Sequence, residues 1–150
     1  MSYLHDRFKL LVAVYLIFRD GDKILLLKRA NTDYRDGWYS LPSGHINGGE
    51  PAARAAAREA KEEVGVDIDS ADLHLVHTMH RYSEDPEPHE KIDLGFEVAK
   101  WRGKLINAEP EKCSGLMWAA VDALPEKTIP EIRMILDMIA KGEPYADINF

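Results

Sequence analysis

The stretch from Gly44 to Val66 constrains this chain more than any other. A glycine-rich loop, Gly44-His45-Ile46-Asn47-Gly48-Gly49-Glu50, runs without a spacer into the clearest helix-forming segment of the sequence. Pro51 stands in the first turn, where its missing N–H costs nothing. Ala, Arg and Glu dominate the interior, and Gly65 occupies the place of a left-handed C-terminal cap. The spacing predicts a helix over Pro51–Val64. With Glu59 set at zero and about 100° per residue, Glu62 lies near −60° and Glu63 near +40°. Three carboxylates therefore share one face. Ala53, Ala57, Ala60 and Val64 form an apolar stripe for docking on a sheet, and Arg54, Arg58 and Lys61 a basic flank.

Like charges within one turn repel, and partial burial raises their pKa values. Two things relieve that strain. One is the basic flank, with Arg58 and Glu62 at i,i+4. The other is a divalent cation: magnesium takes oxygen ligands, commonly a few carboxylates together with substrate phosphate oxygens. A solvated charged face is the commoner explanation of a Glu-rich helix taken alone. The preceding loop shifts that balance, because glycines let the backbone approach a ligand closely.

The segment resembles the Nudix box, Gly-x5-Glu-x7-Arg-Glu-apolar-x-Glu-Glu-x-Gly-apolar, through Gly44, Glu50, Arg58, Glu59, Ala60, Glu62, Glu63, Gly65 and Val66. With each residue type at roughly 7%, the fixed positions match by chance about once in 10⁸ starting points. Trp38-Tyr39-Ser40-Leu41-Pro42, Leu25-Leu26-Leu27-Lys28-Arg29, and Trp118 with Val121-Asp122-Ala123-Leu124-Pro125 extend the resemblance from Phe8 to Leu136. One departure is Ser43, where many members carry glycine. Serine keeps the backbone carbonyl that can contact the metal in that family.

The resemblance implies an α/β fold, residues 1–150 forming a single α/β/α sandwich around a mixed β-sheet with a loop–helix–loop catalytic motif. It implies metal-dependent hydrolysis of a pyrophosphate bond in a nucleoside diphosphate linked to another group, with Mg2+, or Mn2+ in its place. The linked group makes the substrate a nucleoside triphosphate, a nucleotide sugar or a dinucleoside polyphosphate. Glu59, Arg58 and Glu62 become the catalytic group, Glu59 as general base. Glu59, Glu62 and Glu63 become metal ligands, joined by Ser43 and by Glu111 from outside the box; Glu97 and Glu109 are the alternatives to Glu111. Gly44, Glu50 and Gly65 hold the motif together. Arg29, Tyr39 and Tyr82 are candidates for contacting substrate, as is Trp101. Tyr82 lies where a tyrosine marks dinucleoside polyphosphate hydrolases. The Ser-Gln-Pro-Trp-Pro-Phe-Pro signature of the NADH-cleaving branch is absent from the sequence. A non-catalytic nucleotide-binding or regulatory module on the same scaffold is the alternative, although this box keeps every acidic position. A prenyl diphosphate isomerase fits less well, since Cys113 stands too near the end. Many relatives pair, so a homodimer is compatible.

Charge narrows the partners. The chain has 19 Lys and Arg against 26 Asp and Glu, a net charge of −7, which repels a nucleic-acid polymer. A small phosphorylated substrate is admissible if cations offset the repulsion. The longest apolar run, Leu10–Phe18, has nine residues; a membrane span needs about 20. It reads as a buried strand, and Arg19-Asp20-Gly21-Asp22 follows it instead of a cleavage site. The lone Cys113 forms no internal disulfide, suits a reducing cytosol and has no activating neighbour in sequence. His74, His77 and His80 fall on alternating strand faces, against a zinc site.

The remaining pattern predicts a hairpin of Phe8–Arg19 with Lys23–Lys28 about Asp20-Gly21. A short strand follows at Trp38–Leu41, then strands over Leu73–Tyr82, Ile92–Trp101 and Leu116–Val121. In the second of these, Ile92, Leu94, Phe96 and Val98 point one way and Asp93, Gly95 and Glu97 the other. A helix over Pro130–Lys141 carries the stripe Ile132, Ile135, Leu136, Ile139. The residues after Gly142 read as a tail.

Overall fold

The computed structural model describes residues 3–150. In chain order its elements are β1 (Leu11–Ile17), β2 (Arg19–Asp20), β3 (Lys23–Arg29), β4 (Tyr39–Ser40), β5 (Ser43–His45), α1 (Ala52–Val64), β6 (Leu73–Ser83), β7 (His89–Val98), β8 (Cys113–Ala120), α2 (Pro130–Ala140) and β9 (Tyr145–Ile148). The main sheet runs β5-β1-β7-β6-β9. It is mixed: β1 and β7 are parallel, as are β6 and β9, while β5 and β6 run antiparallel to β1 and β7 respectively. A smaller antiparallel sheet is built on β3, which pairs with β2, β4 and β8.

β1 explains the layering. Its Val14 and Leu16, with Phe18 just beyond, enter a core with Ala56, Ala60 and Val64 of α1. Its Ala13, Tyr15 and Ile17 enter another with Ile132, Ile135 and Leu136 of α2. Since alternate strand residues face opposite ways, the two helices cover opposite faces, giving the α/β/α sandwich. Leu16 and Ile17, fully buried, each stabilise the sandwich by about 1.5–3 kcal/mol relative to exposure.

Several local expectations are corrected. The hairpin at Asp20-Gly21 involves only the two-residue β2 against β3. β1 turns away to pair with β7, from Leu11↔Lys91 to Ile17↔Glu97, because parallel pairing buries it on both faces. Residues after Gly142 are not a tail: β9 pairs with β6, from Thr78↔Tyr145 to Arg81↔Ile148. β7 stops at Val98, so Trp101 lies outside the strand and packs edge-on against Phe18, ring centres 5.2 Å apart. β8 begins at Cys113, earlier than the apolar pattern indicates. On α1 the fully buried positions are Ala55, Ala56, Glu59, Ala60 and Val64, while Ala53 and Ala57 are half-buried and pack against the same core; an alanine-rich helix offers too little contrast to fix the centre of its buried face. Pro51 is the N-cap, and Gly65 adopts φ 75° and donates to the Lys61 carbonyl. His77 is buried with Nδ1 2.7 Å from the Glu143 carbonyl, and His80 Nε2 lies 3.0 Å from Glu90. Among the described residues no helix is long and apolar enough to cross a membrane.

Candidate functional site

A cleft of about 780 Å³ runs from the α1 side of edge strand β5, across β1, to Lys91 of β7 and Arg81 of β6. Its two ends have different chemistry.

The α1 end is acidic. Glu59, 9% exposed, and Glu63 both line it. The backbone N–H of Ser43 donates to Glu63 Oε2 at 2.8 Å. Burial pushes the Glu63 carboxyl up to about 8; the Ser43 N–H opposes this, while Glu59 and Glu109 add to it. Burial also raises Glu59, against the opposing pull of Arg58. Gly44 makes this packing possible, because a Cβ there would overlap the Glu59 carboxylate. Arg58 organises the group from behind. Its Nε and Nη2 donate to the two oxygens of Glu50 at 3.1 and 2.8 Å, Nη2 also to the His45 carbonyl at 3.0 Å. Its Nη1 donates to Glu59 at 2.7 Å and to Glu62 at 3.5 Å. Glu50 in turn accepts the Asn47 N–H, and chiefly Arg58 holds its carboxyl below the usual range. The box thus ties loop to helix through one guanidinium.

The donor set fits a hard divalent cation, being all oxygen and carboxylate-rich, with backbone brought close at Gly44. Among the described residues no three His, Cys, Asp or Glu side chains form a finished metal cage. Arg58 occupies Glu59 and Ser43 occupies Glu63, so ligation requires these carboxylates to exchange partners.

The other end is a buried ionic floor. Arg81 Nε donates to Asp93 Oδ2 at 2.5 Å; the two are 5% and 1% exposed. Lys91 Nζ lies 3.7 Å from Asp93 Oδ1 and 5.9 Å from the centre of the Tyr15 ring. Burial lowers the Lys91 pKa and, with Asp93 second, raises that of Tyr15. Glu131, near the start of α2, closes this end.

Of the residues singled out by sequence, Glu59, Glu62, Glu63, Ser43, Gly44 and Arg29 line the cleft, and Arg58 braces it. Arg29 is pinned through Nε to the Tyr34 carbonyl and Nη2 to Thr32 Oγ1. Glu111 is not brought in: it is exposed, and its carbonyl accepts from Asn31. Glu109 lines the cleft in its place, because the turn before β8 folds back on the Glu109 carbonyl. Glu97 pairs with Arg19 instead. Tyr39 lies outside the lining, near Lys28, and Tyr82 lies outside it beside Glu84. Cys113 lines the cleft with Sγ 3.2 Å from the Gly115 carbonyl. Sequence reasoning missed Arg81, Lys91, Asp93 and Glu131. The one available signal was the sandwich itself: a strand covered on both faces buries Asp93 whichever way it points.

Sandwich, glycine loop and acid-faced helix together define a class, and a NUDIX domain model matches residues 8–138. The chain belongs to the Nudix family. The NAD-capped RNA hydrolase NudC of Pseudomonas aeruginosa is 30% identical over 122 residues, 81% of this chain and 40% of that protein. The ADP-ribose pyrophosphatase of Methanocaldococcus jannaschii is 42% identical over 64 residues, 43% of this chain and 35% of that protein. The chain therefore spans well under half the length of these relatives. The crystal structure of a MutT NUDIX hydrolase from Burkholderia pseudomallei shares the fold, with a TM-score of 0.76 at 24% identity over 87% of this chain and 98% of that one.

Proposed function

We propose that this domain hydrolyses the pyrophosphate bond of a small nucleoside diphosphate derivative, using a divalent cation held by Glu59, Glu62, Glu63 and Glu109 with the Ser43 carbonyl. The observation that carries this reading is Glu63. Its carboxyl, with the Ser43 N–H as its hydrogen-bond partner, lines one cleft with Glu59, Glu62 and Glu109, which offers a cation from solution several carboxylate oxygens together. Bound magnesium, or manganese, neutralises phosphate charge and lowers the pKa of water.

The protein's own groups do the positioning. Glu59 stands as general base, its basicity raised by burial and its carboxylate steered by Arg58. Arg29 and Lys112 both line the cleft, Lys112 with Nζ 3.9 Å from Glu109 Oε2, and offer cations to phosphate oxygens that become more negative during in-line displacement. The inner cleft removes the rest of the substrate from water. A non-catalytic module would have no use for the complete acid set.

The test is turnover of nucleoside triphosphates and diphosphate conjugates. Chelator should abolish it and magnesium restore it. Glu63→Gln should lower it by more than the roughly 10–100-fold typical of outer-shell partners, with an unchanged circular dichroism spectrum. Equal turnover in chelator, or a Glu63→Gln variant that retains its rate, overturns the proposal.

A further inference from the structure

A strand at the edge of a sheet offers its unpaired N–H and C=O groups to any other strand. Proteins blunt such edges with charge, proline, bulges or brevity. Most edges of this molecule are blunted. β5 is covered by α1, its Ser43 N–H donating to Glu63 and its Gly44 packed against Glu59. β9 is four residues long and carries the exposed Asp147. β2 and β4 have two residues each. β8 differs. It has eight residues, and among the described residues it pairs with β3 alone. No charged residue and no proline falls between Cys113 and Val121, in a chain that is 30% charged. Its bulge lies at the start, opposite Lys28 and Arg29, and leaves Leu116–Ala120 regular.

The ladder shows which groups are free. The Leu25 N–H donates to the Phe18 carbonyl, on the side of β3 away from β8. Backbone direction alternates along a strand, so Ile24, Leu26 and Lys28 bond β8, and their partners Ala119, Met117 and Gly115 face β3. Leu116 and Trp118 therefore turn both N–H and C=O outward, and Ala120 its N–H. Among the described residues no hydrogen bond reaches these outward groups. The side chains of Leu116 and Trp118 are half-buried against the α1 core, while Met117 on the other face is 40% exposed. A Cβ added at Gly115 would meet nothing.

We infer that β8 is a self-pairing edge: two copies of this chain join antiparallel through Leu116–Ala120, about a twofold axis at Trp118. In that register Trp118 exchanges both ladder bonds with its own copy, and the Ala120 N–H donates to the partner's Leu116 carbonyl. Charge selects a second copy as the occupant. A twofold contact brings a surface against itself, so a charge on the pairing strand repels its own copy. Asp147 imposes that penalty on β9, whereas β8 is free of it. The two Trp118 rings add an aromatic cross-strand contact, and pairing closes the bare edge of both copies. None of this depends on the chemistry of the cleft.

Sedimentation velocity of the full chain over a wide concentration range tests the inference. A monomer–dimer equilibrium should appear. Added salt should favour the dimer, because each copy carries a net charge of −7. Ala120→Pro removes an outward N–H and spares the β3 ladder, and the Ala120 φ of −70° already suits proline. It should weaken association about tenfold or more. Met117→Lys and Met117→Glu each set like charges diagonally across the axis and should weaken it comparably. Mixing those two variants should restore the dimer. Met117 is exposed, so the circular dichroism spectrum of either variant should not change. A chain that stays monomeric throughout, leaving β8 to a foreign strand or to nothing, overturns the inference. So does a dimer indifferent to Ala120→Pro, or a mixture of the charged variants that associates no better than either alone.

Discussion

Both ends of the cleft hold a carboxylate that burial desolvates, Asp93 on the floor and Glu63 beside α1, yet the two are compensated differently. On the floor, Asp93 has Arg81 at 2.5 Å and Lys91 at 3.7 Å. At the α1 end, Glu63 has a backbone N–H and, among the described residues, no side-chain cation within ion-pair distance, and burial pushes its carboxyl up to about 8. Burial is common to both, so it does not mark function. What separates them is whether the protein supplies the opposite charge itself. Arg58 and Lys112 pair with the other acids at that end, so it is Glu63 alone that leaves room for an ion from solution.

The strongest way to break this comparison is to strip the floor of its partner. Arg81→Met leaves Asp93 with only Lys91 and should cost about 3–5 kcal/mol, measured by urea unfolding. Glu62→Gln, on the exposed side of α1, should change stability by less than about 0.5 kcal/mol. Equal effects would erase the distinction. A smaller loss is expected for Gly44→Ala, whose methyl collides with Glu59. It should cost about 1–3 kcal/mol by overpacking and slow turnover by displacing that carboxylate.

The pH dependence sharpens the same point. Between about pH 4.5 and 8 the folded, metal-free protein keeps a proton on Glu63 that the unfolded chain has released. Stability therefore falls as pH rises through that window, lowering the melting temperature by a few °C or more. Glu63→Gln should remove this component of the fall. Magnesium, which selects the deprotonated form, should offset it. The smallest effect belongs to Tyr82→Phe. Tyr82 lies outside the cleft, so stability should change by less than about 0.5 kcal/mol and turnover should hold.

What sequence revealed follows how local each signal is. Pro51 and Gly65 bracket α1 within one segment, and three glutamates at helical spacing show their shared face without any tertiary knowledge. β9 was invisible because four residues gain strand identity only from β6, far away in sequence. The turn signal at Asp20-Gly21 was real, yet it told nothing of β1, whose partner is β7. The site divides along the same line. Glu59, Glu62 and Glu63, which helical spacing groups on one face, all line the cleft, whereas Glu109 lines it and Glu111 does not, because the folding of one turn decides which carboxylate faces inward. Arg81 and Asp93 meet across paired strands, and neither has a sequence neighbour that announces the other.

Ser43, which binds Glu63, lies opposite Tyr15 on β1, and Leu11 of the same strand lies opposite Lys91. The gap between the acidic grip and the ionic floor is thus two strand widths, about 9.5 Å, across the sheet and four residues, about 13 Å, along β1. Hydrogen bonding sets that gauge, and side-chain substitution does not retune it. A compound too short to bridge it must choose one anchor, and a compound long enough to hold both is measured by the sheet before any chemistry begins.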